Sequence, residues 1–443
     1  VGRSRRRLPK DPIRARIEAL SLDGRGVAWV DGKEVFLHGG LPGEEVRFTY
    51  TRTHRRHDEG EVIEVLKAAP ERVEPRCAHF GQCGGCSLQH LAPQAQLQAK
   101  QRNLAEALQR IGQVQPGHWL EPLDSPLHWG YRRKARLGAK YVLKKQRVLV
   151  GFRERSSSFV ADLSRCEILH PKVGELIPEL ADLIAGLSIR DRVPQLELAV
   201  GDQSCVLVFR IMETLTDEDR ERLERFAATH GVHVYLQEAG PESVRPLSGV
   251  PGRLSYRIPE FDLELQFLPT DFTQVNTDIN RLMVRRAVEL LAPQPEDRVL
   301  DLFCGLGNFT LPLARRAGQV TGVEGDPGLV ARARDNAMQN DVSNTEFYAA
   351  NLYEPLGAEP WVQQRYPKAL LDPPRSGAIE VLEHLSGLGV ERLVYVSCNP
   401  ATLARDAGAL VHSHGYRLVA AGVMDMFPHT GHVESIAFFQ RRG

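Results

Sequence analysis

Asp301-Leu-Phe-Cys-Gly-Leu-Gly-Asn-Phe-Thr310 decides the fold. An apolar run, Val299–Phe303, reads as a buried strand, and a helix follows the two glycines. Gly305 and Gly307 let the backbone turn tightly beside a ligand. Thr310 stands where the third glycine of G-x-G-x-x-G would be, which weakens a dinucleotide reading. Outward from this turn the pattern alternates. Gln319–Glu324 reads as a strand and Gly328–Asn340 as a helix. Thr345–Ala349, Ala369–Leu371, Arg392–Ser397, Tyr416–Met424 and Glu434–Gln440 read as further strands. Alternation from about residue 266 predicts a doubly wound α/β domain with a mainly parallel sheet. Glu324 ends the strand after the turn, where a carboxylate can accept both hydroxyls of a ribose. Asn351 follows the next strand, where adenine usually lies.

The chain has 443 residues, room for two to four domains at roughly 100–200 residues each. Composition is that of an ordinary globular protein, with 42% hydrophobic and 25% charged residues, which excludes a disordered or collagenous chain. No apolar run reaches the ~18 residues a membrane helix needs, so no membrane partner is expected. Few cysteines, odd in number, point to a reducing, cytoplasmic compartment. Charge balances at 56 Lys+Arg against 56 Asp+Glu, but it is segregated. Residues 1–16 carry seven basic side chains, and residues 130–155 carry ten against Glu154 alone. Two such blocks point to nucleic acid. Short alternating runs over residues 13–66 (Ile13–Leu20, Val27–Val30, Glu34–Leu37, Glu45–Tyr50, Gly60–Leu66) are spaced by glycine turns as in a small oligonucleotide-binding barrel. Residues 94–111 read as a helix ended by Gly112, and 130–265 as mixed strands with one helix, Asp217–Thr229, after the cap Thr216.

The turn, with its downstream acid and no phosphate loop, resembles class I S-adenosylmethionine methyltransferases of Rossmann-like fold. Leu371-Asp-Pro-Pro-Arg375 ends the fourth strand, where open α/β sheets place their sites. Amino-group methyltransferases often carry Asn-Pro-Pro-aromatic there, so Asp372 and Arg375 argue against amine methylation. Ser397-Cys-Asn-Pro400 puts Cys398 at the end of the next strand, in a turn that exposes a thiol. Phe427-Pro-His-Thr-Gly-His-Val-Glu434 supplies a late carboxylate, while Cys304 reads as an inert small hydrophobe. One cysteine, one carboxylate and an adjacent methyl donor are what C5 methylation of uracil requires. A thiolate adding to C6 makes C5 nucleophilic, and a base then removes the C5 proton. The base must leave its stack first.

Phe272-Thr-Gln-Val-Asn276, the Asp301–Thr310 turn, Asp372-Pro-Pro-Arg375, Ser397-Cys-Asn-Pro400 and Phe427–Glu434, in this order over about 170 residues, resemble bacterial RNA 5-methyluridine methyltransferases. The resemblance implies Cys398 as nucleophile and Glu434 as base. It implies contacts to S-adenosylmethionine from Gln274, Phe303, Asn308, Glu324, Asn351 and Asp372.

Cys77-x5-Cys83-x2-Cys86 is a metal signal. Spacing leaves zinc, with His79 or His90 as fourth ligand, and an iron–sulfur cluster both open, and it does not separate Cys166 from Cys205. The family resemblance implies a 4Fe-4S cluster on Cys77, Cys83, Cys86 and Cys166. It also implies that the N-terminal barrel is a TRAM domain. Barrel and cluster together resemble the members that modify 23S rRNA, whereas the tRNA-specific members generally lack both. The expected organisation is therefore a basic arm and barrel (1–70), a central RNA-binding α+β domain with the cluster (71–93 and 130–265), and the methyltransferase domain (94–129 and 266–443). The expected partner is 23S rRNA, not DNA, and the chain is expected to be a monomer. Three readings compete: tRNA uridine methylation, cytosine C5 methylation, and a non-catalytic rRNA-binding assembly factor. Ser397 before Cys398, together with Asp372 and Glu434, suits an imide better than an aminopyrimidine.

Overall fold

The computed structural model describes residues 11–249, 251–357 and 359–442. Most of the N-terminal basic block, Arg3 to Lys10, lies outside the described residues. The chain divides into two compact units.

The first unit holds the described residues up to Lys100, with Phe152–Ala161 and Phe427–His432. Its six-stranded sheet runs in the order Ile13–Arg16, Glu45–Thr53, His57–Lys67, Lys33–His38, Gly26–Val30, Ala19–Leu20. The run expected as one strand, Ile13–Leu20, is interrupted at Ile17-Glu18. Ile17 N–H donates to Glu44 C=O (2.9 Å) and Glu18 N–H to Val27 C=O (2.8 Å). One bent strand therefore pairs with both ends of the sheet and closes it, which leaves no long free edge. Ile17, Ala28, Val35, Leu37, Val46 and Phe48 fill the interior, and the period of two in 35/37 and 46/48 is what a strand with one buried face requires. Glu44 is buried at the rim. Burial alone would raise its pKa, but Arg72 and the N–H groups of Leu41 and Ala69 hold it below the usual carboxylate value.

The second unit contains two sheets and a hairpin. One sheet has the order Arg245–Pro246, His233–Gln237, Cys205–Arg210, Gln195–Val200, Lys134–Val142, Arg147–Gly151. The helix Asp217–His230 is started by Thr216 and Asp219, which cap each other's backbone N–H reciprocally. The other sheet has eight strands in the order Thr345–Ala349, Gln319–Glu324, Arg298–Leu302, Lys368–Leu371, Arg392–Ser397, Glu434–Arg441, Tyr416–Met424, His118–Trp119. The first five are parallel. Leu393, Val394, Tyr395 and Val396 are all fully buried, so both faces of that strand are covered. Glu434–Arg441 enters antiparallel to Arg392–Ser397.

The helix expected over 94–111 runs Pro93–Ala107 and then widens into a π-helical turn, Leu108–Gly112. A β-carbon on Gly112 would stand 2.3 Å from Ala404 C=O, so only glycine permits this approach to the helix Pro400–His412. Gly112→Ala is expected to lower stability by about 1–3 kcal/mol, the usual cost of overpacking, read as a lower denaturation midpoint. An unchanged midpoint would contradict the contact.

Candidate active site

Four loop ends converge at the carboxyl edge of the parallel strands. The Arg298–Leu302 strand stops one residue earlier than its apolar run, because Phe303 takes a left-handed conformation (φ 64°) and starts the turn. Gly305 and Gly307 continue it at φ 55° and 96°, and a β-carbon on Gly305 would meet nothing within 4 Å. The turn is thus open on the side where a ligand would lie. Gly305 N–H donates to Glu324 Oε2 (3.0 Å) and Asp326 N–H to Glu324 Oε1 (3.1 Å), which fixes that carboxylate at the strand end. Asp301 is fully buried and its Oδ2 accepts from Thr310 Oγ1 at 2.5 Å, while Oδ1 has no partner. Burial pushes the Asp301 pKa up to about 8, assisted by the charges of Asp372 and Glu324 and opposed by Thr310. Asp372, one residue past the Lys368–Leu371 strand, is pushed up to about 7 by burial and by Glu324.

Cys398 and Glu434 meet through the register of the sheet. The antiparallel ladder ends on the pair Ser397 and Ser435, so Cys398, which follows one strand, and Glu434, which begins the other, lie at the same end of the pair, near enough for the Glu434 charge to act on the thiol. Asn399 turns the chain after the thiol. Its Oδ1 accepts from Ala401 N–H (3.1 Å) to cap the helix, and its Nδ2 donates to Arg375 C=O (3.1 Å). The Arg375 side chain hydrogen-bonds the Cys398 thiol. Burial raises the thiol pKa, as do the charges of Glu434 and Asp372, and Arg375 opposes them. Burial raises Glu434 well above the ordinary carboxyl value, Asp372 adds to this, and Arg375 again opposes it. Cys304 is buried beside Asp301, and burial holds its thiol far from ionisation.

The family model described as tRNA (Uracil-5-)-methyltransferase matches residues 253–354 and 362–442. Two full-length relatives carry the description 23S rRNA (uracil(1939)-C(5))-methyltransferase RlmD. The one from Alkalilimnicola ehrlichii is 56% identical over 443 residues, covering 100% of this chain and 99% of its own. The one from Methylococcus capsulatus is 54% identical over 438 residues, covering 99% of each. The chain belongs to the RlmD family of RNA uracil-C5 methyltransferases. Among solved structures, the Pyrococcus abyssi tRNA (uracil-54, C5)-methyltransferase in complex with S-adenosyl-L-homocysteine matches with a TM-score of 0.74 at 25% identity, over 96% of this chain and 99% of that one.

The structure brings Glu324, Asp372, Cys398 and Glu434 into one electrostatic neighbourhood with Asp301 and Arg375. Phe303 lies at the turn, with its ring centroid 5.9 Å from that of Tyr353. Asn351 is exposed, and its amide is used locally by Tyr353 N–H (3.1 Å) and Glu354 (2.8 Å). Gln274 is half-buried in the loop before the helix Thr277–Leu291. The Asn308 amide is committed to a reciprocal pair with Asn280 (2.9 Å each way) and to Tyr256 Oη (2.8 Å). The roles of Arg375, Tyr353 and Asp406 were missed by sequence reasoning. Only the arginine left a signal, as the odd residue of Asp-Pro-Pro-Arg. Cys77, Cys83, Cys86 and Cys166 are each half-buried. The basic block of residues 130–155 is also less charged than its sequence suggests. Glu197, Asp202, Asp162 and Glu61 pair with Arg136, Arg133, Lys145 with Arg147, and Arg155. Among the described residues no helix is long and apolar enough to cross a membrane.

A site of buried acids around one arginine fits a ligand that carries positive charge. The upward shifts mean that the folded chain holds protons that the unfolded chain gives up. This stabilising contribution is fully present below the unfolded value and is lost as pH rises through about 7 for Asp372 and about 8 for Asp301. Asp372→Asn is therefore expected to raise the Tm of the ligand-free protein by a few degrees more at pH 8 than at pH 5. An equal change at both pH values would contradict the shift.

Proposed function

We propose that this chain methylates C5 of a uridine in 23S rRNA with S-adenosylmethionine as donor. The observation that carries the reading is that Cys398 and Glu434 lie at one end of the same strand pair, within reach of each other's charge and of Asp372. The choice of 23S rRNA over tRNA rests on full-length identity of 54–56% to relatives described as 23S rRNA enzymes, against 25% to the tRNA enzyme. Gln274, Phe303, Asn308, Glu324, Asn351 and Asp372 are the proposed donor-binding residues, with Glu324 available to the ribose hydroxyls. The donor supplies a methyl group on a sulfonium.

Cys398 Sγ bonds to C6 of an extruded uracil, and the C5=C6 electron pair moves onto the C4 carbonyl as an enolate. Arg375 favours the thiolate at the start, by hydrogen bond and by charge. The enolate pair returns through C5 to bond the methyl group as the sulfonium S–CH3 bond breaks, its electron pair staying on sulfur in neutral S-adenosylhomocysteine, and the C4 carbonyl reforms. Glu434 then removes the C5 proton, C5=C6 reforms, and the C6–Sγ bond breaks to return the thiolate. Burial makes Glu434 a stronger proton acceptor than an exposed carboxylate, which is the quality a base at carbon needs.

Cys77, Cys83 and Cys86 are the proposed ligands of a 4Fe-4S cluster, with Cys166 as the fourth from the family resemblance. Gly85 N–H donates to Cys83 Sγ at 3.4 Å, and Cys77 N–H is held by Gln89 Oε1 at 3.1 Å. An N–H turned toward a thiolate, as at Cys83, suits a cluster, whose potential such hydrogen bonds set. A cluster there would fold the loop rather than turn over electrons. The closed barrel is the proposed TRAM domain, and exposed Arg136, Lys140 and Lys144 the proposed phosphate contacts of the central domain.

Glu434→Gln should form the bond to C6 and transfer the methyl group, but fail to release. The expected result is an RNA–protein adduct that survives denaturing electrophoresis, with turnover reduced ~10²–10⁴-fold. Cys398→Ala should form no adduct and no product. Turnover by Cys398→Ala would refute the covalent mechanism.

A further inference from the structure

The geometry points to Tyr353 as a positioning residue that couples occupancy of the methyl-donor site to the placement of Arg375. This rests on the donor-site reading above. Residues 375–378 form a loop that is gripped from two directions. From one side come the helix Pro400–His412 and its cap. Asn399 Nδ2 and Thr402 Oγ1 donate to Arg375 C=O (3.1 and 3.2 Å), Arg405 Nη2 to Ser376 C=O (2.9 Å), and Ala378 N–H to Asp406 Oδ2 (2.8 Å). Asp406 is fully buried and also accepts from Tyr395 Oη at 2.7 Å, so this grip is rigid.

From the other side comes Tyr353. Its hydroxyl lies 2.9 Å from Ser376 Oγ and donates to Gly377 C=O at 3.3 Å. Its ring stands 5.9 Å from Phe303 at the glycine turn, and its own backbone N–H is held by Asn351. The side chain is 39% exposed, so core packing does not account for its position. Phe303 and Asn351 are proposed donor contacts that touch Tyr353, one through its ring and the other through its backbone N–H. A ligand that presses on them shifts or fixes Tyr353, and the hydroxyl passes this to Ser376-Gly377. Arg375 precedes that pair and hydrogen-bonds the nucleophile. Donor binding thus sets the reactivity of Cys398 before RNA arrives, as a coupling free energy between two sites.

The test uses the full chain and S-adenosylhomocysteine as probe. The rate of Cys398 alkylation by iodoacetamide is followed by peptide-resolved mass spectrometry, with and without the probe, and probe affinity is measured by calorimetry. In the native chain the probe should change the Cys398 rate at least ~5-fold. Tyr353→Phe keeps the ring and loses the hydroxyl. It should bind the probe within about two-fold of the native chain while the rate change falls to near unity. Ser376→Ala should do the same, and the double variant should add nothing further. Simple shielding of the thiol by the ligand would persist in Tyr353→Phe, and that outcome overturns the proposal. So does a native rate that the probe leaves unchanged. Failure of the native chain to bind the probe at all would instead remove the donor-site reading, and the proposal with it.

Discussion

The ladder between Arg392–Ser397 and Glu434–Arg441 is the constraint on which the site depends. Parallel strands bring their carboxyl ends to one edge, and that accounts for Asp301, Glu324, Asp372 and Cys398. It cannot supply Glu434, which begins its strand. Only an antiparallel neighbour presents a strand start at the same edge, and the register pairs Ser435 with Ser397, next to Glu434 and Cys398. A slip of one residue would turn the carboxylate to the other face of the sheet. Apolar burial on both sides, from Leu393–Val396 and Ile436–Phe439, makes that slip costly. The chemistry is thus held by the same side chains that hold the fold.

Charge is the second organising quantity. Several carboxyl groups and a thiol crowd a buried site with one neighbouring guanidinium. Each suffers from the others, and the fold tolerates this because the groups can hold protons. A sulfonium donor brings the positive charge that the site lacks, and the product of transfer does not. Arg375 sits where it opposes the rise in both Cys398 and Glu434.

Much of this was legible in the sequence, for a physical reason. Arg392–Ser397 and Gln319–Glu324, buried along nearly their whole length, could be read to their end residues, and so could the edge strand Thr345–Ala349, where only Phe347 is buried. The glycine turn was legible because few residues tolerate its backbone. What stayed hidden depends on contacts distant in sequence. Nothing local marks Gly112 as the point where two backbones cross, or Asp406 as the anchor of the Ser376 loop. The interruption at Ile17-Glu18 follows from barrel closure, not from turn residues. The second basic block looked like a bare polycation because its neutralising acids, Asp162, Asp202 and Glu61 among them, lie elsewhere in the chain.

The central claim is most directly tested by nucleoside mass analysis after incubation with labelled S-adenosylmethionine and, separately, a 23S rRNA fragment and tRNA transcripts. The account predicts label in 5-methyluridine of the 23S fragment alone. Label confined to tRNA, or label in cytidine rather than uridine, would contradict it.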